Sequence, residues 1–384
     1  MSNPSAGKPG RFSRSRVVVR WAVRGLGVVL MLGVLFLGSN LLFHSAEPPP
    51  LFAAAALGPL PAEADNGHRD FVIGAVKLGA VPRAPEAVLE LLDPSPDKPE
   101  RAWEALLAQG DALSKEARDP QVAKWLDLLQ RAYAKPRFAD SCPMDPQATC
   151  GSLAVLKTHR LAEMDVLALA QAGDFAAALA GWANMERADA DLVATSRSML
   201  TYEIAMSCLD HATHVVRVVL VGQSQAAVTL DPAMRASLRD SISSALGLVT
   251  KEALDPTRMI RSEYLLDIRR IDLVTATNEP APPDNRLSTG LFLPRTLFDR
   301  GGTIQLLNQR YERLTKPDQA SAMPSMEAPN SDAPFWWLHN ATGKRILDSM
   351  AVDFTARVKK ASITRDRILS SKEAALTKAR ELAP

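Results

Sequence analysis

The sequence predicts an all-α protein, an N-terminal transmembrane helix followed by a multi-helix domain of antiparallel helical hairpins, on three observations. Gly25 to Phe43 (GLGVVLMLGVLFLGSNLLF) is free of charge and, at about 1.5 Å per helical residue, reaches roughly 28 Å, enough to cross a hydrocarbon core. Asp119-Pro120, Asp231-Pro232 and Asp255-Pro256 each set a capping carboxylate before a proline, in the first-turn position where the missing N–H is harmless. Aromatic residues make up only 5% of the chain and alanine is abundant, which favours helix over sheet.

The first element is a basic tail over residues 1–24, carrying Lys8, Arg11, Arg14, Arg16, Arg20 and Arg24 and no acid. Beyond the span of residues 25–43, almost no basic residue follows until Arg69. This asymmetry predicts a cytoplasmic N-terminus and the bulk of the chain on the far side of the membrane. A cleaved secretory signal is the competing reading. Against it stand the long basic region, an apolar run longer than a signal's, and His44 where a cleavage site near Ala46 wants a small residue. The glycines of the span (25, 27, 33 and 38) include no pair at four-residue spacing, so no helix-dimer motif sets an oligomeric state. With the six basic residues of the tail set aside, 39 basic residues face 43 acidic ones, a net of −4. No basic patch offers itself to nucleic acid.

Residues 44–69 are rich in Pro and Ala and read as a spacer lifting the domain off the bilayer. A main helical domain follows over residues 70–276. Its first segment, Phe71–Val81, is apolar without clear period, which fits either a short strand or a buried segment. Pro85 and Pro99 open helices as the Asp-Pro pairs do. Four apolar stripes recur at three- and four-residue steps. They run through Trp103–Leu113, Val122–Leu129, Met234–Val249 and Met259–Ile271. The longest candidate runs from Ala190 to Val221, a rod of roughly 45 Å whose VVRVVLV end is apolar nearly all round.

Cys142 and Cys150 bracket SCPMDPQATC, whose two prolines forbid regular helix, and the pair is expected to close a local disulfide in an oxidising compartment. Free thiols and a metal pair lacking further ligands are the alternatives. Cys208 sits on an apolar helix face and reads as a buried thiol. Residues 277–334 hold two Pro-rich loops around one helix near Thr303–Leu314, and residues 335–384 supply the closing helices. Phe335, Trp336 and Trp337 form an aromatic cluster, fitted either to anchor a core or to meet a partner.

Leu161–Arg187 (LAEMDVLALAQAGDFAAALAGWANMER) resembles a tetratricopeptide-type hairpin through Ala168, Ala170, Gly173-Asp174-Phe175, Ala178, Leu179 and Trp182. No second copy follows at a 34-residue period, so the resemblance implies one hairpin and no solenoid. The basic tail and anchor, AQAGDFAAAL, SRSMLTYEIAM and Asn340-x-x-Gly343-Lys344 together resemble uncharacterised single-span envelope proteins of Gram-negative bacteria. That resemblance implies an inner-membrane anchor with a periplasmic body, and brings no activity with it. Arg295-Thr-Leu-Phe298-Asp299 is similar to the start of the signature of membrane-anchored lipase foldases, but the next residue is Arg300 where they carry tyrosine.

His211 and His214 lie three apart on one helix, within reach of one metal ion, with no third ligand marked. Ser95-x-x-Lys98 falls in a Pro-rich turn that cannot seat a nucleophile. No nucleophile elbow, zinc-protease pair or phosphate loop is present. No cofactor or catalytic residue is therefore assigned. The expected role is a membrane-tethered helical protein that binds another protein or envelope component, with an envelope hydrolase or transferase and a chaperone or foldase as alternatives.

Overall fold

The computed structural model describes residues 12–42, 45–91, 99–145, 150–225, 231–276, 298–315, 340, 343–344, 346–347 and 354–381. These residues are all-helical, with one isolated bridge (Asn66 to Arg137) and no strand among them. In chain order the helices are α1 (Phe12–Leu42), α2 (Gly67–Leu78), α3 (Glu86–Leu91), α4 (Pro99–Ala108), α5 (Ala112–Ala117) and α6 (Pro120–Tyr133). There follow α7 (Ser152–Gln171), α8 (Phe175–Thr195), α9 (Met199–Gln225), α10 (Pro232–Gly247), α11 (Thr257–Ala276), α12 (Arg300–Leu314) and α13 (Phe354–Glu381). The chain divides into two compact units. One comprises Met1–Pro50, Leu273–Arg310 and Ala322–Val352; the other comprises Leu51–Asp272, Tyr311–Ser321 and Asp353–Pro384.

The larger unit is built around α9, which packs against α4, α7, α8 and α13. The expected starts are real. Asp119 Oδ1 accepts from the Gln121 and Val122 amides at 2.8 and 3.3 Å, Asp231 from Ala233 at 3.2 Å, and Asp255 from Thr257 at 2.9 Å. Each bond satisfies an amide that a helix start would leave orphaned. The stripes face inward except at two positions, Leu107 and Met234, which are exposed.

Helices α7 and α8 form the hairpin read from Leu161–Arg187. Gly173 holds φ +86, a conformation that side chains rarely adopt, and Asp174 caps α8 through the Ala177 amide at 3.0 Å. Phe175, Ala178 and Trp182 are buried, and the Trp182 indole N–H donates to the Ala212 carbonyl of α9 at 2.8 Å.

Two segments differ from the sequence reading. Phe71–Val81 is largely helix α2; Phe71 and Ala75 face inward while Ile73 and Val76 are exposed, so a helix with an apolar outer face hid its own period. The rod expected over Ala190–Val221 is two helices. Ser196 leaves the helix at ψ 136, and Ser198 Oγ caps α9 by accepting from the Thr201 amide at 3.0 Å. Ser-Arg-Ser carried a cap signal, but the apolar stripe on either side masked it.

Cys142 and Cys150 stand at disulfide distance, with Cα atoms 5.2 Å apart. Among the described residues, one helix is long and apolar enough to cross a membrane by length and composition, and it is α9 in mid-chain. Its most apolar window is 89% buried inside the body, which marks it as a core helix. In α1, every side chain from Val19 to Leu35 is exposed.

In the smaller unit, Asp299 caps α12. One carboxylate oxygen accepts from the Gly302 amide at 3.0 Å, and the other from the Ser45 amide and hydroxyl at 3.1 and 2.8 Å. Asn340 completes the joint, accepting from the Asp299 amide at 3.0 Å and donating to Thr303 Oγ1 at 2.9 Å. A Cβ on Gly301 would stand 2.1 Å from the Ser45 carbonyl oxygen, so only glycine lets the segment lie this close.

Candidate functional site

The larger unit buries a cluster of ionisable side chains where α7, α8 and α9 meet. His159 and Glu163 lie one turn apart on α7, Glu186 and Asp189 lie on α8, and Cys208 and Thr213 lie on α9; all are buried. His159 Nε2 is 2.6 Å from Asp189 Oδ2, and its Nδ1 is 3.1 Å from Glu163 Oε1, a charge contact without hydrogen-bond alignment. Arg160 Nη1 donates to Glu163 Oε2 at 3.2 Å.

Burial by itself would lower the His159 pKa, but the Asp189 and Glu163 carboxylates outweigh it and raise the imidazole to about 10. Burial would raise Glu163, yet His159 first and Arg160 next bring it down to about 2. Glu186 is held well above the usual carboxylate range, by burial first and by Asp189 second. Burial and the same carboxylates push the Cys208 thiol up. At neutral pH the cluster therefore holds an imidazolium beside an ionised Glu163. Thr213 Oγ1 is 3.1 Å from Glu186 Oε1 and 2.7 Å from the Leu209 carbonyl.

A cleft of about 250 Å³ between α9 and α13 adjoins this cluster. Glu203 and Asp210 of α9 bind Arg357 and Arg367 of α13, with contacts of 2.7 and 3.0 Å. Tyr202, Ser207, His211 and Lys360 also line it. Arg160 Nη2 meets His211 Nε2 at 2.6 Å. A guanidinium only donates, so Nε2 is the accepting nitrogen of this contact. Through Arg160 the cleft wall is hydrogen-bonded to buried Glu163. A second cleft of about 340 Å³, lined by Tyr133, Phe138, Ala190 and Leu248, is edged by the two-pronged Arg137–Asp191 ion pair.

The sequence-predicted residues fall as follows. The His211 Nε2 lone pair is committed to Arg160, and His214 is buried three residues on. The His, Cys and acid side chains that cluster at metal-binding separation among the described residues are instead His159, Asp189 and Cys208. Cys142 and Cys150 come together, and Cys208 is buried as expected. Phe335, Trp336, Trp337, Arg295, Ser95, Lys98 and nearly all of the two Pro-rich loops lie outside the described residues. Asp299, read from the foldase-like motif, is a buried helix cap.

Sequence reasoning missed His159, Glu163, Glu186 and Asp189 because acids on helices read as solvated. The available signal was register: Trp182, Glu186, Asp189 and Val193 follow one another at three- and four-residue steps on one buried face of α8. Comparisons of the chain with protein-family models, with curated proteins and with solved structures each find no match, so the site is read from its own geometry alone.

Proposed function

We propose that this chain is a membrane-tethered helical binding protein of the cell envelope. Its N-terminal helix lies in the inner membrane, its N-terminus in the cytoplasm and its body in the periplasm, where it engages another protein or an envelope component. The carrying observation is α1: a helix of 31 residues whose apolar side chains from Val19 to Leu35 are turned outward, immediately behind a cationic tail. Such a surface has no use in water and suits a lipid environment. The Cys142–Cys150 pair agrees with an oxidising compartment.

Binding is favoured over turnover by how the clefts are built. Arg357, Arg367 and Arg137 are each held by a carboxylate at the rim. That gives two grooves edged by charge pairs, suited to recognition of a polar surface.

The test is fractionation of the full chain beside a Leu30→Arg/Leu32→Arg variant. Each arginine near the span's centre disfavours insertion by about 2.5 to 3.5 kcal/mol. The wild type should resist alkaline extraction from membranes, and the variant should be released. A reporter enzyme fused after Pro384 that works only in the cytosol would overturn the reading. The binding half is tested by in-cell crosslinking of the wild type and an Asp210→Ala/Glu203→Ala variant. One discrete adduct that weakens in the variant is expected, and the absence of any adduct would count against it.

A further inference from the structure

We propose that His159, Asp189 and Cys208 form a binding site for one borderline-soft divalent metal ion, Zn²⁺ foremost, in the seam of α7, α8 and α9. The three side chains offer a ring nitrogen, a carboxylate oxygen and a sulfur that all lie within 4.8 Å of one another. Ligands about 2.0 to 2.3 Å from a tetrahedral ion stand roughly 3.3 to 3.8 Å apart. The thiol therefore closes in by up to about an ångström, and the 2.6 Å contact of His159 with Asp189 opens by slightly less.

A second, independent observation points to a cation. His159 Nδ1, Asp189 Oδ1, Glu163 Oε1 and Glu186 Oε2 are all buried without a hydrogen-bond partner. Leaving such groups unsatisfied in a core is costly. Among these acids the surplus is of acceptors, and a metal ion meets a surplus of acceptors where more carboxylates would not. Binding releases two protons, from His159 Nε2 and from the Cys208 thiol, while Nδ1 keeps its own toward Glu163, 3.1 Å away and placed to orient the ring. A carboxylate behind a metal-binding histidine is a recurrent second partner. A mixed nitrogen, oxygen and sulfur set suits Zn²⁺ or Co²⁺ and disfavours Mg²⁺ and Ca²⁺, which take oxygen ligands. With one ligand from each of three helices, the ion would pin the hairpin to α9.

The site is buried, so the ion enters as the chain folds. The test is therefore the full chain purified in detergent micelles from cells grown with cobalt in place of zinc. About one cobalt per chain is expected, with the visible bands of tetrahedral geometry and a near-ultraviolet thiolate-to-cobalt band. Cys208 is the one cysteine outside the Cys142–Cys150 pair, so that band identifies it in the wild type without any variant. Glu163→Gln should lower cobalt retention against a competing chelator about 10- to 100-fold. Cobalt without the thiolate band, or no more cobalt than in a Cys208→Ser/Asp189→Asn variant, overturns the proposal. Equal retention in Glu163→Gln overturns its orienting role.

Discussion

Replacing His159 with leucine tests whether the buried cluster is held by charge. The imidazolium sits 2.6 Å from Asp189 and 3.1 Å from Glu163, with all three side chains fully buried. Leucine approximates the ring's volume, so the loss is electrostatic: two carboxylates remain in the core, of which Glu163 keeps Arg160. Removing one partner of such a buried pair destabilises by about 3 to 5 kcal/mol. At roughly 2 to 4 °C per kcal/mol for a body of this size, the melting temperature should fall by about 6 to 20 °C. The assay is thermal and urea unfolding of the full chain in detergent with EDTA present, followed by circular dichroism. A companion His159→Leu/Asp189→Val variant should recover part of the loss, because replacing both members of a buried pair by apolar groups is often near neutral. A single variant within about 1 kcal/mol of wild type, or a double variant less stable than the single, would refute the charged reading of this core.

Three further outcomes follow from the geometry. Burial, reinforced by Glu263, raises Asp267 to about 6 against the opposing pull of Arg270 and Tyr311. Its folded pKa lies above its unfolded value, so folding favours the protonated acid and the wild type loses stability as pH rises from about 4 to 6. The gap to Asp267→Asn should change over that window with a slope of at most about 1.4 kcal/mol per pH unit, and stay flat above it; a constant gap refutes this. Gly301→Ala forces a Cβ to 2.1 Å from the Ser45 carbonyl, so the Ser45–Asp299 joint should loosen by about 1 to 3 kcal/mol. Faster amide exchange at Gly302 and Thr303 is the readout, and unchanged exchange would count against it. Opening the Cys142–Cys150 link, which spans a sequence separation of 8, should destabilise by roughly 2 to 3 kcal/mol on loop-closure entropy. Urea midpoints with and without reductant measure it, and coincident midpoints would deny the link.

How much was legible varied with the kind of signal. Local chemistry read true: the Asp-Pro caps at Asp119, Asp231 and Asp255, the Gly173 turn and the paired cysteines all act within a few residues of themselves. Two features that depend on distant segments were missed. The break at Ser196 was hidden because both flanking helices bury the same face, so the stripe ran through it. The ionisable cluster was hidden because its members are scattered from His159 to Thr213 and meet only when α7, α8 and α9 pack. His211 was noticed for its neighbour His214, whereas it meets Arg160, from another helix. An acid at a buried register position was the clue that stood in plain view, at Glu186 and Asp189.

The apolar length of α9 carries a hazard for any chain threaded through a protein-conducting channel, since a helix this greasy invites sideways escape into lipid. Asp210 and Arg217 interrupt it, and each charge near a helix centre resists partition by about 2.5 to 3.5 kcal/mol. Once the body closes, Asp210 receives Arg367 and the warning label becomes a fastener. The same carboxylate would thus serve twice, first steering the nascent helix past the bilayer and afterwards seating the last helix against it.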